Sequence, residues 1–204
     1  MTKKKRKRIS REEIELFYGL NINIKHRVIY FGPASNDTDV EEWMVDDRSA
    51  SNLMKGLIML NNINKKPITI VWLSYGGDWD AGMAIYDLIN EIKSPVIFKG
   101  YGRCRSMGSI IIQSCDKRYL SVNCTFMIHY GSMAIEGHGK DVQSNVDESK
   151  KNDKTMEDIY LSKIKEKHPR YTRERLKELM KYDKFMTSQE AVDLGLADKV
   201  IENK

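Results

Sequence analysis

Three side chains stand where chemistry is easiest to build. Ser106 falls in Gly102-Arg103-Cys104-Arg105-Ser106-Met107-Gly108-Ser109, where a strand pattern gives way to a helical one. A serine there has its hydroxyl at the positive end of a helix, beside backbone N–H groups able to hold a developing oxyanion. The same position suits a serine that only caps the helix, and the local pattern alone favours that structural reading. His129 ends the apolar run Thr125-Phe126-Met127-Ile128. Strand ends flank the active sites of open α/β sheets, although a lone histidine after such a run is more often structural. Asp183, in Tyr182-Asp183-Lys184-Phe185, is equally readable as a loop residue near a helix start. Gly76-Gly77 follow a strand and either make a turn or let a substrate approach the backbone. None of these positions is decisive alone.

The remaining reactive residues exclude more than they offer. Cys104, Cys115 and Cys124 are odd in number and lack CxxC spacing, and His26, His129, His138 and His168 are scattered without an HExxH-like pattern. Free thiols in a reducing, cytoplasmic compartment are the simplest expectation, with no metal site and no cofactor.

The elements that must position these residues alternate strand, glycine turn and helix. Glu12 to Leu20 reads as a short helix and Arg27 to Phe31 as a strand ending at Gly32-Pro33. Leu53, Leu57, Ile58 and Leu60 recur at helical spacing. Ile68 to Leu73 is a continuous apolar run, the pattern of a strand buried on both faces. It leads through Ser74-Tyr75-Gly76-Gly77 into a helix carrying Met83, Ile85, Leu88, Ile89 and Ile92. The cycle then repeats: Pro95 to Phe98 is a strand, Gly100 to Arg105 a tight connection and Ser106 to Ser114 an apolar helix. Tyr119-Leu120 and Phe126 to His129 supply further strand material. This alternation predicts an α/β fold of parallel strands with crossover helices.

Beyond it, Asp141 to about Lys167 contains neither Pro nor Gly, and its apolar teeth are Val142, Val146, Met156, Ile159, Tyr160 and Ile164. That is a long helix too thinly apolar to lie on one domain's core, so it is expected to project and pack on another subunit. Thr172 to Met180 reads as a further helix. Thr187-Ser188-Gln189-Glu190 has the capping-box spacing for a helix stopped by Gly195, and Lys199 to Glu202 can close the sheet.

The chain has 204 residues, 31% charged and 41% hydrophobic, enough for one α/β domain with a real core. No apolar run approaches the roughly 20 residues of a membrane helix, and no secretory signal is expected. The net charge of +5 comes from the first residues: Lys3 to Arg8 and Arg11 are seven positive charges, and the rest of the chain is nearly balanced. Residues 1–24 are therefore expected to be a basic segment, mobile or gate-like, ahead of a domain over 25–204. Such a run suits nucleic acid, anionic lipid or a targeting role, but a solvated terminus is the plainer reading. The body adds no basic stripe interleaved with aromatics, so nucleic acid is not an expected partner.

Five separated motifs, in order, give a more specific reading. They are Leu73-Ser74-Tyr75-Gly76-Gly77 with Ala81 to Asp87, Ser106-Met107-Gly108, Met127-Ile128-His129, Asp183 to Ser188, and Glu190-Ala191-Val192 with Gly195-Leu196. Together they resemble the ClpP proteolytic subunits of the Clp proteases, over roughly Arg27 to Glu202. The resemblance implies a crotonase-like α/β fold of repeated βα units with a projecting handle helix at about 141–167. It also implies two stacked heptameric rings enclosing a chamber in which peptide or unfolded protein is cleaved. By the same resemblance Ser106 is the nucleophile, His129 the general base and Asp183 the group that orients and supports His129. The N–H groups of Gly77 and Met107 match the family's oxyanion hole. Ser132 to Lys140 looks like its substrate-aligning strand, with Ser132, Met133 and Ala134 as substrate-binding residues. The set is chemically coherent, because a serine hydroxyl is a poor nucleophile until a base takes its proton, and the imidazolium needs an anionic partner.

The chain also departs from the family. Tyr75 replaces a proline, Cys104 and Arg105 replace small residues, and Tyr130-Gly131 stand where Gln-Pro is usual. These changes crowd or recharge the rim of the site. The segment before Ile24 does not resemble the family's axial-gate loop. An AAA+ unfoldase is an expected partner by resemblance, but its docking pocket would fall on Glu91, Lys99, Tyr101, Thr69, Val71 and Ser121, an atypically polar set. Other readings are a weakly active structural ring subunit, an ATPase-independent maturation protease and an acyl-CoA enzyme of the crotonase type. The Ser, His and Asp motifs in this order count against the last, and also against a Ser-Lys peptidase.

Overall fold

β-branched and aromatic residues dominate the segments that become strands, and their burial marks the core. The computed structural model describes residues 9–33, 43–132, 134 and 136–202. The basic run Lys3 to Arg8 and Met133 lie outside the described residues. An 8-stranded sheet has the spatial order β1 (Ile22–Asn23), β2 (Val28–Phe31), β3 (Ile68–Ser74), β4 (Val96–Arg105), β5 (Lys117–Ser121), β8 (Lys199–Ile201). β6 (Thr125–Ile128) pairs with β4, and β7 (Lys184–Met186) pairs with β6. The pairs along β2-β3-β4-β5-β8 and the β4–β6 pair are parallel, while β1–β2 and β6–β7 are antiparallel. Parallel neighbours need crossovers. Helices α2 (Asp47–Ile63) and α3 (Trp79–Glu91) supply the first two, and α4 (Met107–Ile111) with a 3-10 turn to Ser114 supplies the third.

Two expectations about the strands change. Gly100 to Arg105 is no tight connection but the second half of a ten-residue strand. β4 bends where Gly102 adopts φ +63, pairing with β5 before the bend and with β6 after it. The fork delivers Ser106 to the end of β6. In β3 the burial alternates: Ile68, Ile70, Trp72 and Ser74 are buried, and Thr69, Val71 and Leu73 only partly. Within the chain, then, one face of β3 is fully covered rather than both. Trp72 is the centre of that face, stacked on Phe31 at 4.1 Å between ring centroids and lying 5.3 Å from Phe98. The start of α4 rests on the same indole. A Cβ at Gly108 would come within 2.8 Å of Trp72 Nε1, which is why that position carries no side chain.

The lead-in segment joins the fold. Helix α1 (Arg11–Leu20) starts with a Ser10–Glu13 capping box, and Ile22 in β1 is buried in the core. Helix α5 (Gly139–Lys167) has two characters. Val142 and Val146 in its first half are partly exposed, while Met156, Ile159, Tyr160, Leu161 and Ile164 are buried. Met156 and Tyr160 therefore belong to this chain's own core, not to a stripe left for another subunit. Leu161 is the tooth that widens the stripe there. Helices α6 (Arg173–Leu179) and α7 (Ser188–Leu194) follow, the latter with the expected Thr187–Glu190 capping box and ending at Gly195. No helix among the described residues is long and apolar enough to cross a membrane.

Candidate active site

Strand register, rather than any single motif, brings the site together. Cys104 and Arg105 pair with Phe126 and Met127 across β4–β6, and the Ser106 N–H donates to the Met127 carbonyl at 2.9 Å. Across β6–β7, Met127 faces Phe185 and Ile128 faces Lys184. Continuing that antiparallel register by one step sets His129 opposite Asp183. The side chains meet accordingly: His129 Nε2 lies 2.8 Å from Ser106 Oγ, and His129 Nδ1 lies 3.1 Å from Asp183 Oδ1. The histidine side chain is 21% exposed and the aspartate 57%. A carboxylate on Nδ1 fixes the tautomer that leaves Nε2 free to accept the serine proton.

Ser106 is held in an unusual conformation, φ 50 and ψ −122, one of three non-glycine residues with positive φ among those described. Such backbone costs about 1–3 kcal/mol and persists only where its surroundings enforce it. Here they do. The Ser106 carbonyl accepts from the Ser109 N–H at 2.8 Å and from the Ser109 hydroxyl at 2.6 Å. That hydroxyl in turn shares a 2.6 Å hydrogen bond with the buried Tyr160 hydroxyl on α5. Burial pushes the Tyr160 phenol well above its usual pKa, so it remains a neutral partner. The Ser106 side chain makes no capping hydrogen bond to α4, which overturns the structural reading of the residue as a helix cap.

The double glycine is required by close approach. Gly76 has φ +109, and a Cβ there would lie 2.6 Å from Ser106 Cβ; Gly77 has φ +147, and a Cβ there would lie 2.2 Å from the Val45 carbonyl oxygen. Val45, just before α2, holds the turn by a parallel bridge, receiving the Asp78 N–H at 2.8 Å and donating to the Gly76 carbonyl at 2.7 Å. Among the described residues the N–H groups of Gly77 and Met107 have no hydrogen-bond partner. Both residues border, with Ser106 and His129, a cleft of about 840 Å³. Ser132 and Ala134 line it, as do Trp79 and Glu136. The described residues from Ser132 to His138 form no strand, and α5 begins at Gly139.

Several residues that support the site share no local motif that would connect them. Tyr130 donates its hydroxyl to Glu157 at 2.8 Å, and Arg173 donates to the other Glu157 oxygen at 2.7 Å. Burial, and then the Glu157 carboxylate, push the Tyr130 phenol far up, so it stays a donor. The three cysteines are free and buried; burial raises Cys124 to about 12 and Cys104 well above the usual thiol range. They are inert packing, not nucleophiles. Among the described residues no group of three or more His, Cys, Asp or Glu side chains is arranged to hold a metal ion.

A mixed sheet built on parallel βα units, with β4 forked between β5 and β6, is the α/β fold of the ClpP type. A ClpP1 mutant from Listeria monocytogenes matches it with a TM-score of 0.73 over 89% of this chain and 94% of that one, at 24% sequence identity. In sequence, the chain is 34% identical over 182 residues to the ATP-dependent Clp protease proteolytic subunit of Deinococcus radiodurans, covering 88% of this chain and 82% of that protein. It is 33% identical over 183 residues to ATP-dependent Clp protease proteolytic subunit 2 of Bifidobacterium longum, covering 87% and 80%. The Clp protease family model matches residues 40–204. The chain belongs to the Clp protease family.

Proposed function

We propose that the chain is a serine endopeptidase subunit that hydrolyses peptide bonds inside a homo-oligomeric ring assembly. The observation that carries this reading is the unbroken line Asp183–His129–Ser106 at 3.1 and 2.8 Å, beside two N–H groups without partners. His129 takes the Ser106 proton as Oγ attacks the scissile carbonyl, and Asp183 supports the imidazolium that results. The carbonyl oxygen becomes an oxyanion facing the Gly77 and Met107 N–H groups, each such donor being worth roughly 3–4 kcal/mol. His129 then returns the proton to the leaving amine, and water repeats the sequence on the acyl-enzyme. The extended substrate lies along the segment Ser132, Met133 and Ala134. Three free, buried cysteines suit a reducing, cytoplasmic setting. Membership of the family supports heptameric rings stacked in pairs.

The relatives' names couple them to ATP, and here the docking surface supports a second reading. Lys99 lies between Val71 and Tyr119 in one row across β3, β4 and β5. Among the described residues neither Lys99 nor Glu91 forms an ion pair. An apolar anchor entering that row desolvates a charge, which is costly. A typical AAA+ unfoldase therefore binds weakly, and the peptidase acts alone or with a dedicated partner. The central test is labelling by a fluorophosphonate probe together with hydrolysis of an unstructured peptide. Wild type is expected to label at Ser106 and to hydrolyse, and Ser106→Ala to do neither while assembling normally. A fully active Ser106→Ala protein refutes the assignment. ATP-dependent degradation of a folded, tagged substrate with a standard Clp unfoldase refutes the second reading alone.

A further inference from the structure

We propose that Arg105 is a positioning residue that fastens the Asp183 strand and the Gly76-Gly77 turn to the strand bearing Ser106. The inference rests on the reading of Ser106, His129 and Asp183 as a peptidase site. Arg105, Met127 and Phe185 stand in one row across β4, β6 and β7, so their side chains share a face of the sheet. The Arg105 guanidinium spans Met127 and lies over the Phe185 ring, 5.3 Å from its centroid. It also lies 5.5 Å from the centroid of Tyr75, the residue before Gly76. Arg103, two residues back on the same strand, stacks on Tyr75 at 3.9 Å and donates to the Tyr75 hydroxyl at 2.8 Å.

These rings are what Arg105 has. Its Nε is buried without a hydrogen-bond partner, and among the described residues it pairs with no carboxylate. A partly buried guanidinium over two aromatic rings makes a cation–π contact with each. Met186 anchors the far end of β7 (Lys184–Met186) in the core, but the end nearer Asp183 has less to hold it. β7 is three residues long and among the described residues pairs with β6 alone, and Asp183, just before it, is 57% exposed. Phe185, two residues on, is itself half exposed. The position of Asp183 beside His129 therefore depends on where β7 sits, and Arg105 pins β7 from the residue adjoining Ser106. Arg103, Tyr75, Arg105 and Phe185 act as a staple joining the three elements of the site.

The test compares full-length Arg105→Ala, Arg105→Lys, Phe185→Leu and Phe185→Tyr with wild type. Two readouts are used: steady-state peptide hydrolysis, and hydrogen–deuterium exchange of the segment 182–186. Arg105→Ala and Phe185→Leu are expected to lose about tenfold or more in kcat, because misplaced catalytic groups cost rate steeply. KM should stay within about twofold, since substrate contacts are untouched. Both variants should exchange faster at 182–186. Phe185→Tyr keeps the ring and should match wild type, and Arg105→Lys, keeping the cation without the planar fork, should recover part of the loss. Phe185→Leu changes a half-exposed side chain, so it decides the matter even if Arg105→Ala folds poorly. Wild-type kcat in Phe185→Leu, or equal losses in Phe185→Tyr and Phe185→Leu, overturns the proposal. Exchange needs no activity: unchanged exchange at 182–186 overturns the staple even if Ser106 proves not to be the nucleophile, and a fully active Ser106→Ala overturns the peptidase reading separately.

Discussion

The Tyr130 hydroxyl meets the Glu157 carboxylate at 2.8 Å, tying the residue after His129 to the buried middle of α5. Glu157 is 5% exposed and also receives Arg173, with Lys177 Nζ 3.8 Å from its other oxygen, so two cations compensate its charge. Tyr130→Phe removes the short hydrogen bond to that oxygen and leaves it with the more distant Lys177. A loss of about 1–3 kcal/mol in unfolding free energy is expected, read from urea midpoints at constant m. Peptide hydrolysis should fall with it, because the chain after His129 loses its anchor.

Gly77→Ala meets two obstacles at once, a φ of +147 and the Val45 carbonyl 2.2 Å from the new methyl. The turn must move away from Val45, taking its N–H with it. We expect a kcat loss of about a hundredfold or more, the cost of removing one oxyanion donor, with smaller change in KM. Stopped-flow acylation with an activated ester isolates the affected step. Acylation at the wild-type rate contradicts the role given to this N–H.

Asp46 caps α2, accepting from the Ser49 N–H at 2.7 Å. Burial pushes its carboxyl pKa up, but the Ser49 backbone and hydroxyl hydrogen bonds outweigh that, and the group lies below its ordinary 3.8. A folded-state value below the unfolded one contributes stability above the unfolded pKa and loses it as pH falls through the folded value. Asp46→Ala should therefore cost about 1 kcal/mol at pH 7, as caps do, and the difference from wild type should close toward about pH 3. Urea unfolding at both pH values checks the sign.

The two halves of α5 should respond differently to charge. Met156 is 4% exposed against the core, so Met156→Asp buries an unpaired carboxylate and should unfold the subunit. Val146 is only partly buried by its own chain. Val146→Asp should leave the circular dichroism spectrum and melting of the subunit intact while weakening association between rings through α5. Native mass spectrometry distinguishes a double ring from a single one, and a persistent double ring removes α5 from that interface.

How much of this was legible beforehand differs from residue to residue. The βα alternation, the capping box at Thr187 and the stop at Gly195 follow from local chemistry, and local chemistry decided them. The bend in β4 was missed because Gly100 and Gly102 look like turn glycines, and only pairing with two different neighbours makes the segment one strand. Helical spacing places Tyr160 in a subunit contact, because it counts teeth without knowing what faces them. Its hydroxyl partner, Ser109, lies far away in sequence. Arg105 was legible as a departure from relatives but not as a staple, since Phe185 and Tyr75 meet it only through the β4–β6–β7 register. Long-range pairing is the information that one sequence withholds.

The stacked Trp72 gives the protein a built-in optical gauge. Of its three tryptophans, Trp72 is fully buried between Phe31 and Phe98 beneath the start of α4 and Trp43 packs edge-on to Phe31 with its Nε1 sealed, whereas Trp79 is partly exposed and lines the cleft. Their emission should separate by colour, blue for the sealed indoles and redder for the wetted one. Occupation of the cleft quenches or shifts the red component alone, and loosening of the sheet under Ser106 moves the blue one. A single fluorescence spectrum thus distinguishes a filled cleft from a failing scaffold, without any label attached.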